Sequence, residues 1–145
     1  MVATKIEGLA VASLVWSLLS ADTGAGGVST LLGGRIYRDR VPQSAALPAL
    51  TVTLVTDVDT ATLGGVRVFT RSEIDVHLIG QGIDYGALNA AAKRADTVVQ
   101  QGTGNDGGVH VVELVRERTT AYIEDAAGAA YTHVVMTYAT PAYAT

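Results

Sequence analysis

The longest regular pattern in the chain runs from Val66 to Ile79. Its even positions, Val66, Val68, Thr70, Ser72, Ile74, Val76 and Leu78, are mostly apolar. The odd positions, Arg67, Phe69, Arg71, Glu73, Asp75 and His77, are mostly polar. Alternation with period two sustained this long predicts a strand with one core face and one wet face. Ala49–Asp57 carries a shorter version, with Leu50, Val52 and Leu54 set against Thr51, Thr53 and Val55. Ile36–Arg40, Val109–Glu117 and Tyr131–Thr140 read as three further strands. The segment DVDTATLGG (57–65) reads as the connection between the second and third strands, and TTAYIEDAAGA as the connection between the last two.

Two segments carry the helical period instead. Residues 4–20 place Ile6, Leu9, Ala10, Ser13, Trp16 and Leu19 on one stripe, widened by Val11, Leu14, Val15 and Leu18. Thr4 and Glu7 have the spacing of a capping box, in which each side chain satisfies the other's free backbone donor. A helix apolar nearly all round must be sandwiched, within its own domain or against another subunit. The second helix starts at a capping Asp84 and runs to about Gln101, burying Leu88, Ala91, Ala92, Ala95, Val98 and Val99. Between the first helix and the first strand lies a Gly-rich connector (21–34) with a short apolar island at Val28–Leu32. The predicted order is α-β-β-β-α-β-β. Short links favour antiparallel pairing, so the expected fold is α+β: a single domain, mostly antiparallel sheet, with two principal helices packed on one face.

Length and charge narrow the function. At 145 residues the chain suits one domain covering 1–145, and such a domain buries a sizeable core without staples. The absence of cysteine removes disulfides, thiolate metal sites and thiol nucleophiles. A net charge of −4 argues against the basic footprint of a nucleic-acid binder, and Asp39 interrupts the small cluster Arg35, Arg38 and Arg40. The apolar run Gly8–Leu19 is shorter than a membrane span. It could pass for a signal-peptide core, but Glu7 beside it and the lack of a small-residue cleavage site favour a first helix.

Chemical motifs are sparse. Gly102–Gly107 matches G-x-G-x-x-G but follows a helix and precedes a strand, the reverse of the dinucleotide-binding context. Asp75 and His77 share a strand face. Two potential ligands fall short of the three or four that a metal site needs, so a solvated face of cross-strand charge pairs is the simpler reading. His110 and His133 could flank each other on neighbouring strands as structural residues. No G-x-S-x-G or HExxH occurs, and Asp57, Asp59, Glu124 and Asp125 form no calcium loop. The expectation is no enzyme, no catalytic residue, no metal and no cofactor. A small-molecule-binding module or enzyme remains a less favoured alternative.

The stretch Gly34–Val52, GRIYRDRVPQSAALPALTV, supplies a more specific signal. An R-[IV]-Y segment leads into V-P-Q-x-A, a second proline and an apolar strand. This resembles the tail terminator (tail completion) proteins of long-tailed bacteriophages. IDVHLIG (74–80), the tyrosine-led helix YGALNAAAKRADTVVQ and the closing strand YTHVVMTYAT (131–140) are similar to that family in order and pattern. Pro42, Gln43 and Pro48 carry the match as a structural connector, since each proline removes a backbone donor and stiffens the extended chain. The resemblance implies a structural subunit of the virion, assembled in the host cytoplasm into a homo-oligomeric, commonly hexameric ring at the head-proximal end of the tail. Its implied partners are the tail tube protein and the head–tail connector protein, with DNA only passing through the lumen and no membrane involved. A head–tail connector or minor tail subunit is the alternative within the same class. Trp16 on the first helix, and Asp57, Asp59 and Leu63 in the 57–65 connection, are the expected contacts to subunits or partners.

Overall fold

The computed structural model describes residues 6–61, 63–65 and 67–144. Three helices, α1 (Glu7–Ser20), α2 (Val28–Leu31) and α3 (Gly86–Val99), combine with seven strands: β1 (Ile36–Arg38), β2 (Ala49–Ala61), β3 (Arg67–Gln81), β4 (Gly104–Asp106), β5 (Val109–Val111), β6 (Val115–Ala126) and β7 (Ala129–Ala144). The sheet runs β1-β2-β3-β7-β5-β4, and β6 also pairs with β7. β7 is long enough to hold β3 along one side while β6 and β5 follow one another along the other. All pairings are antiparallel except β1 with β2. The fold is therefore α+β with a mostly antiparallel sheet, as the alternation in the strands requires.

One face of the sheet carries the core. Leu50 and Val52 of β2, Ile74, Val76 and Leu78 of β3, and Met136 and Tyr138 of β7 pack under Val11, Ala12, Val15 and Leu19 of α1 and Leu88, Ala91, Ala95 and Val99 of α3. Fully burying a branched or aromatic side chain of this kind contributes about 1.5–3 kcal/mol. The apolar island at 28–32 becomes α2, whose Val28 and following Leu32 close one end of the core. Asp22 secures this corner: it accepts the Val28 amide at 2.8 Å and both guanidinium contacts of Arg94 on α3, at 2.7 and 2.8 Å. The Arg94 bonds, followed by the Val28 amide, hold its carboxyl down at about 2.

Several expected boundaries move. The connection 57–65 is shorter than its composition suggests, because β2 continues to Ala61. The cause is a bulge between Leu54 and Thr56. The extra residue reverses the parity of the strand, so Asp57 and Asp59, opposite Ser72 and Thr70, turn toward the helix layer with Leu50 and Val52. The stretch 109–117 is not one strand: residues 112–114 separate β5 from β6. TTAYIEDAAGA is not a loop either. It is most of β6, folded back on β7 through a two-residue turn in which Ala127 (φ 52) and Gly128 (φ 78) are both left-handed. That turn matches the twist of the strands it joins. Asp39, also at positive φ (67), ends β1 two residues before the expected boundary. α1 is described from Glu7; Thr4, the other half of the expected capping box, lies outside the described residues. Asp84 does accept an amide at the start of α3, that of Gly86 at 2.8 Å, although the residue that flanks the helix is Tyr85. Gly102–Gly107 leads from α3 into the small β4–β5 hairpin.

Candidate functional site

The Pro42–Pro48 connector crosses the face of the sheet that the helices leave bare. With Ile79 and Gln81 of β3, Glu124 of β6, and Tyr131 and His133 of β7, residues 41–43 and 45–47 line a cavity of about 590 Å³. Pro42 and Gln43 are exposed lining residues of that cavity. Pro48 follows a cis peptide bond, and its carbonyl accepts the Arg35 Nε at 2.8 Å. Arg38 in turn donates to Ser13 Oγ of α1 at 2.9 Å. Two arginines of the basic cluster thus fasten the connector and the first helix to the sheet edge.

Beneath the connector the expected histidine pairing is replaced by another. His110 sits opposite Tyr143 and lies 3.1 Å from Asn105, far along β7 from His133. It is His77, opposite Val135 in the register, that meets His133, with 2.8 Å between His77 Nε2 and His133 Nδ1. Tyr122 stacks on His133 at 4.5 Å, and Glu124 Oε1 stands 3.7 Å from its Nε2. The paired carboxylate and hydroxyl alongside, Asp75 and Thr137, are 2.5 Å apart. Toward the far end of this face Arg71 pairs with Glu73 at 3.0 Å and with Glu117, and Arg118 approaches Glu73 at 3.9 Å. The Arg71–Glu73 pair lies within β3, and the other two reach from β3 to β6 across β7, so none joins directly paired strands. Among the described residues no three His, Cys, Asp or Glu side chains converge as a metal group.

Burial, and next the neighbouring His133, lower the pKa of His77 below its usual value, with Asp75 and Glu124 opposing. The sign follows from linkage. The unfolded chain protonates His77 near pH 6.5 while the folded chain still resists, so the unfolded state binds more protons and stability falls as pH drops below about 6.5. The fall ends once the folded pKa is passed. A thermal melting series from pH 7.5 to 5 is expected to show this loss, and His77→Gln is expected to flatten it. An equally steep profile in the variant would rule His77 out as the source.

The remaining expected contact residues divide into two groups. Trp16 is 37% exposed on α1, and its indole Nε1 donates to the Ile36 carbonyl at 3.1 Å, which ties α1 to β1. Leu63 stands fully exposed at the turn between β2 and β3. Asp57 and Asp59 do not extend from a loop. Asp57 accepts the Gly8 amide at 3.1 Å and the Ser72 hydroxyl at 2.7 Å, and Asp59 accepts the Thr70 hydroxyl at 2.7 Å. The Asp57 carboxylate anchors the start of α1 to the sheet, and that of Asp59 ties β2 to β3.

The comparisons with known proteins decide the family. A model of the family described as tail completion protein gp17 matches residues 15–141. This chain belongs to that family. The span takes in the second half of α1 from Val15, the two-proline connector and every strand up to the last residues of β7. Among curated proteins none matches. Among solved structures, a chain from the virion of a native gene transfer agent (GTA) particle superposes with a TM-score of 0.74 at 17% identity, covering 96% of this chain and 98% of that one. That likeness establishes the fold of this tail completion family member. The expected terminator-like family and the α+β architecture thus agree with both comparisons, and the chain is a phage tail structural protein.

A second concavity lies on the helix side, where the tail completion chain leaves β6 uncovered. Tyr85, which flanks α3, and Asn89, Ala92 and Lys93 of α3 form one wall, and Thr119 and Ala121 of β6 with Val134 and Met136 of β7 form the floor, enclosing about 590 Å³. One end is closed by Arg116, which reaches Asp96 of α3 at 3.2 Å. No sequence signal marked this groove, because its floor and its wall come from segments far apart in the chain.

Proposed function

We propose that this chain is a ring-forming tail completion subunit that caps the finished tail tube at its head-proximal end and joins it to the head connector. The observation that carries the reading is the family match over residues 15–141, supported by the virion-derived fold match. The physical features agree with a protein that acts by shape. Its sheet keeps long edges open, its first helix shows apolar residues to solvent, and Trp16 and Leu63 stand where a neighbour could meet them. A closed ring uses heterologous contacts, one face of each subunit meeting a different face of the next, and thereby covers such edges. The hexameric order follows the family resemblance. An acidic subunit suits a channel through which DNA slides, since a basic lumen would hold phosphates.

Native mass measurement tests the ring. The expected species is a closed oligomer, most simply a hexamer, that grows with protein concentration or on addition of tail tube protein. A monomer under both conditions would overturn the reading. Loss of the gene separates this role from that of a connector: tails of abnormal length are expected, whereas loss of a connector leaves tail length normal.

A further inference from the structure

The ring reading leaves open which surfaces meet, and the two sides of the sheet are complementary in a way that names them. β6 lies along β7 with nothing paired to its other edge among the described residues, and eleven of its twelve positions are exposed. It carries neither proline nor lysine, and its centre is Thr119–Ile123, TTAYI, a segment of high strand propensity. Natural proteins blunt or cover such an edge, because its free N–H and C=O groups recruit other strands. At the opposite side of the sheet β2 pairs with β1 only over Leu50–Val52, which leaves Thr53–Ala61 as a second open edge.

The helix layer repeats the complementarity. Among the described residues no helix covers β6; beside α3 there is only the groove. Over the free part of β2 stands the start of α1, fixed there by the Gly8–Asp57 bond, with Ile6 62% and Leu9 49% exposed. We infer that the β6 edge of one subunit pairs with the Thr53–Ala61 edge of the next, and that Ile6 and Leu9 of the incoming α1 fill the α3–β6 groove. Sheet and helix layer then both continue from subunit to subunit. Pairing β6 with β6 would instead set groove against groove and leave Ile6 and Leu9 in water. The arrangement is head to tail, which is what a closed ring requires.

This inference rests on the ring reading, and the experiment separates the two. The chain has no cysteine, so introduced ones report without background. Thr53, Thr56 and Val58 of β2 and Arg118, Thr120 and Tyr122 of β6 share the face away from the helices. Cysteine is placed at one β2 position and one β6 position in each of the nine combinations, and the protein is oxidised in its assembled state. At least one combination is expected to give a covalent ladder ending at the ring size, while every single-cysteine variant stays monomeric on a denaturing gel. Leu9→Asp, at an exposed position near a helix start that tolerates acid, is expected to leave the circular dichroism spectrum of the folded subunit unchanged while shifting the native mass to monomer. Oligomers of ring size with no cross-link in any combination, or covalent dimers from a single β6 cysteine, would overturn the interface while the ring stands. A wild-type monomer under all conditions would overturn both.

Discussion

Tyr138→Ala is expected to remove about 3–5 kcal/mol of folding stability, the usual cost of truncating a buried aromatic. Tyr138 is fully buried at the centre of β7, under α3. Its hydroxyl donates to Asp96 Oδ1 at 2.6 Å and approaches the Met136 sulfur at 3.7 Å. Truncation therefore opens a cavity between sheet and helix and strips the Asp96 carboxylate of one of its donors. Tyr138→Phe keeps the ring and is expected to cost less, about 1.5–3 kcal/mol for a hydrogen bond to a charged group, because Arg116 still reaches Asp96 at 3.2 Å. Urea unfolding monitored by circular dichroism checks both, with unchanged m values if the denatured state is unaffected. Burial, and then the Asp96 bond and its charge, push the Tyr138 pKa upward well beyond the ordinary tyrosine value. Above about pH 10 the unfolded chain releases this proton and the folded chain keeps it, so stability falls as pH rises through that range. The Phe variant is expected to lose that part of the alkaline sensitivity. A Tyr138→Ala protein as stable as wild type would refute the placement of β7 beneath α3.

The Gly8–Asp57 contact carries a prediction in which a favourable helix substitution does harm. In an exposed helix, exchanging glycine for alanine gains about 1 kcal/mol. Here a methyl added at Gly8 would fall on the Asp57 carboxylate, with Asp57 Cγ 2.6 Å away. The carboxylate would have to leave both the Gly8 amide and the Ser72 hydroxyl. Gly8→Ala is therefore expected to destabilise by about 1–3 kcal/mol, the cost of leaving buried polar groups without partners. Asp57→Ala alone is expected to cost a similar amount. Once Asp57→Ala has removed the obstacle, Gly8→Ala becomes neutral or stabilising, so the two changes couple strongly. Strictly additive losses in the four-protein cycle would show that α1 does not start against β2. The same bond holds Ile6 and Leu9 above the open edge of β2, so Asp57→Ala is also a probe of assembly.

Legibility differed from element to element for physical reasons. The alternation from Val66 to Ile79 marked β3 and its core face because a half-buried strand needs one apolar side, and Ile74, Val76 and Leu78 are fully buried there. α3 was readable for the matching reason at helical period. α1 was readable as a helix but not in its core face: of the expected stripe Ile6, Leu9 and Trp16 are exposed, and Val11, Ala12 and Val15 are buried with Leu19, because a helix apolar nearly all round does not mark which side packs. β6 was not readable. An edge strand exposed on both faces has no burial pattern to display, and RERTTAYIEDA resembles a polar connection. The end of β2 was hidden by its bulge, since one extra residue moved Asp57 and Asp59 from the apparent turn to the inner face. The histidines were individually visible, but the register of β3 on β7 decided that His77, not His110, meets His133. The two-proline segment identified the family, yet its cavity with Ile79, Tyr131 and His133 depends on where the connector crosses the sheet.

By itself the chain determined what local chemistry can determine. Period fixed the main helices and strands, the missing cysteines closed off thiol chemistry, and the R-I-Y and V-P-Q segment pointed to the tail completion family. Only the tertiary structure decided which strands are neighbours, which edges stay open, and that an apolar ridge and an apolar groove occupy opposite sides of the molecule. Those properties belong to pairs of segments distant in the chain. No periodicity within a single segment records the register or the packing that brings them together.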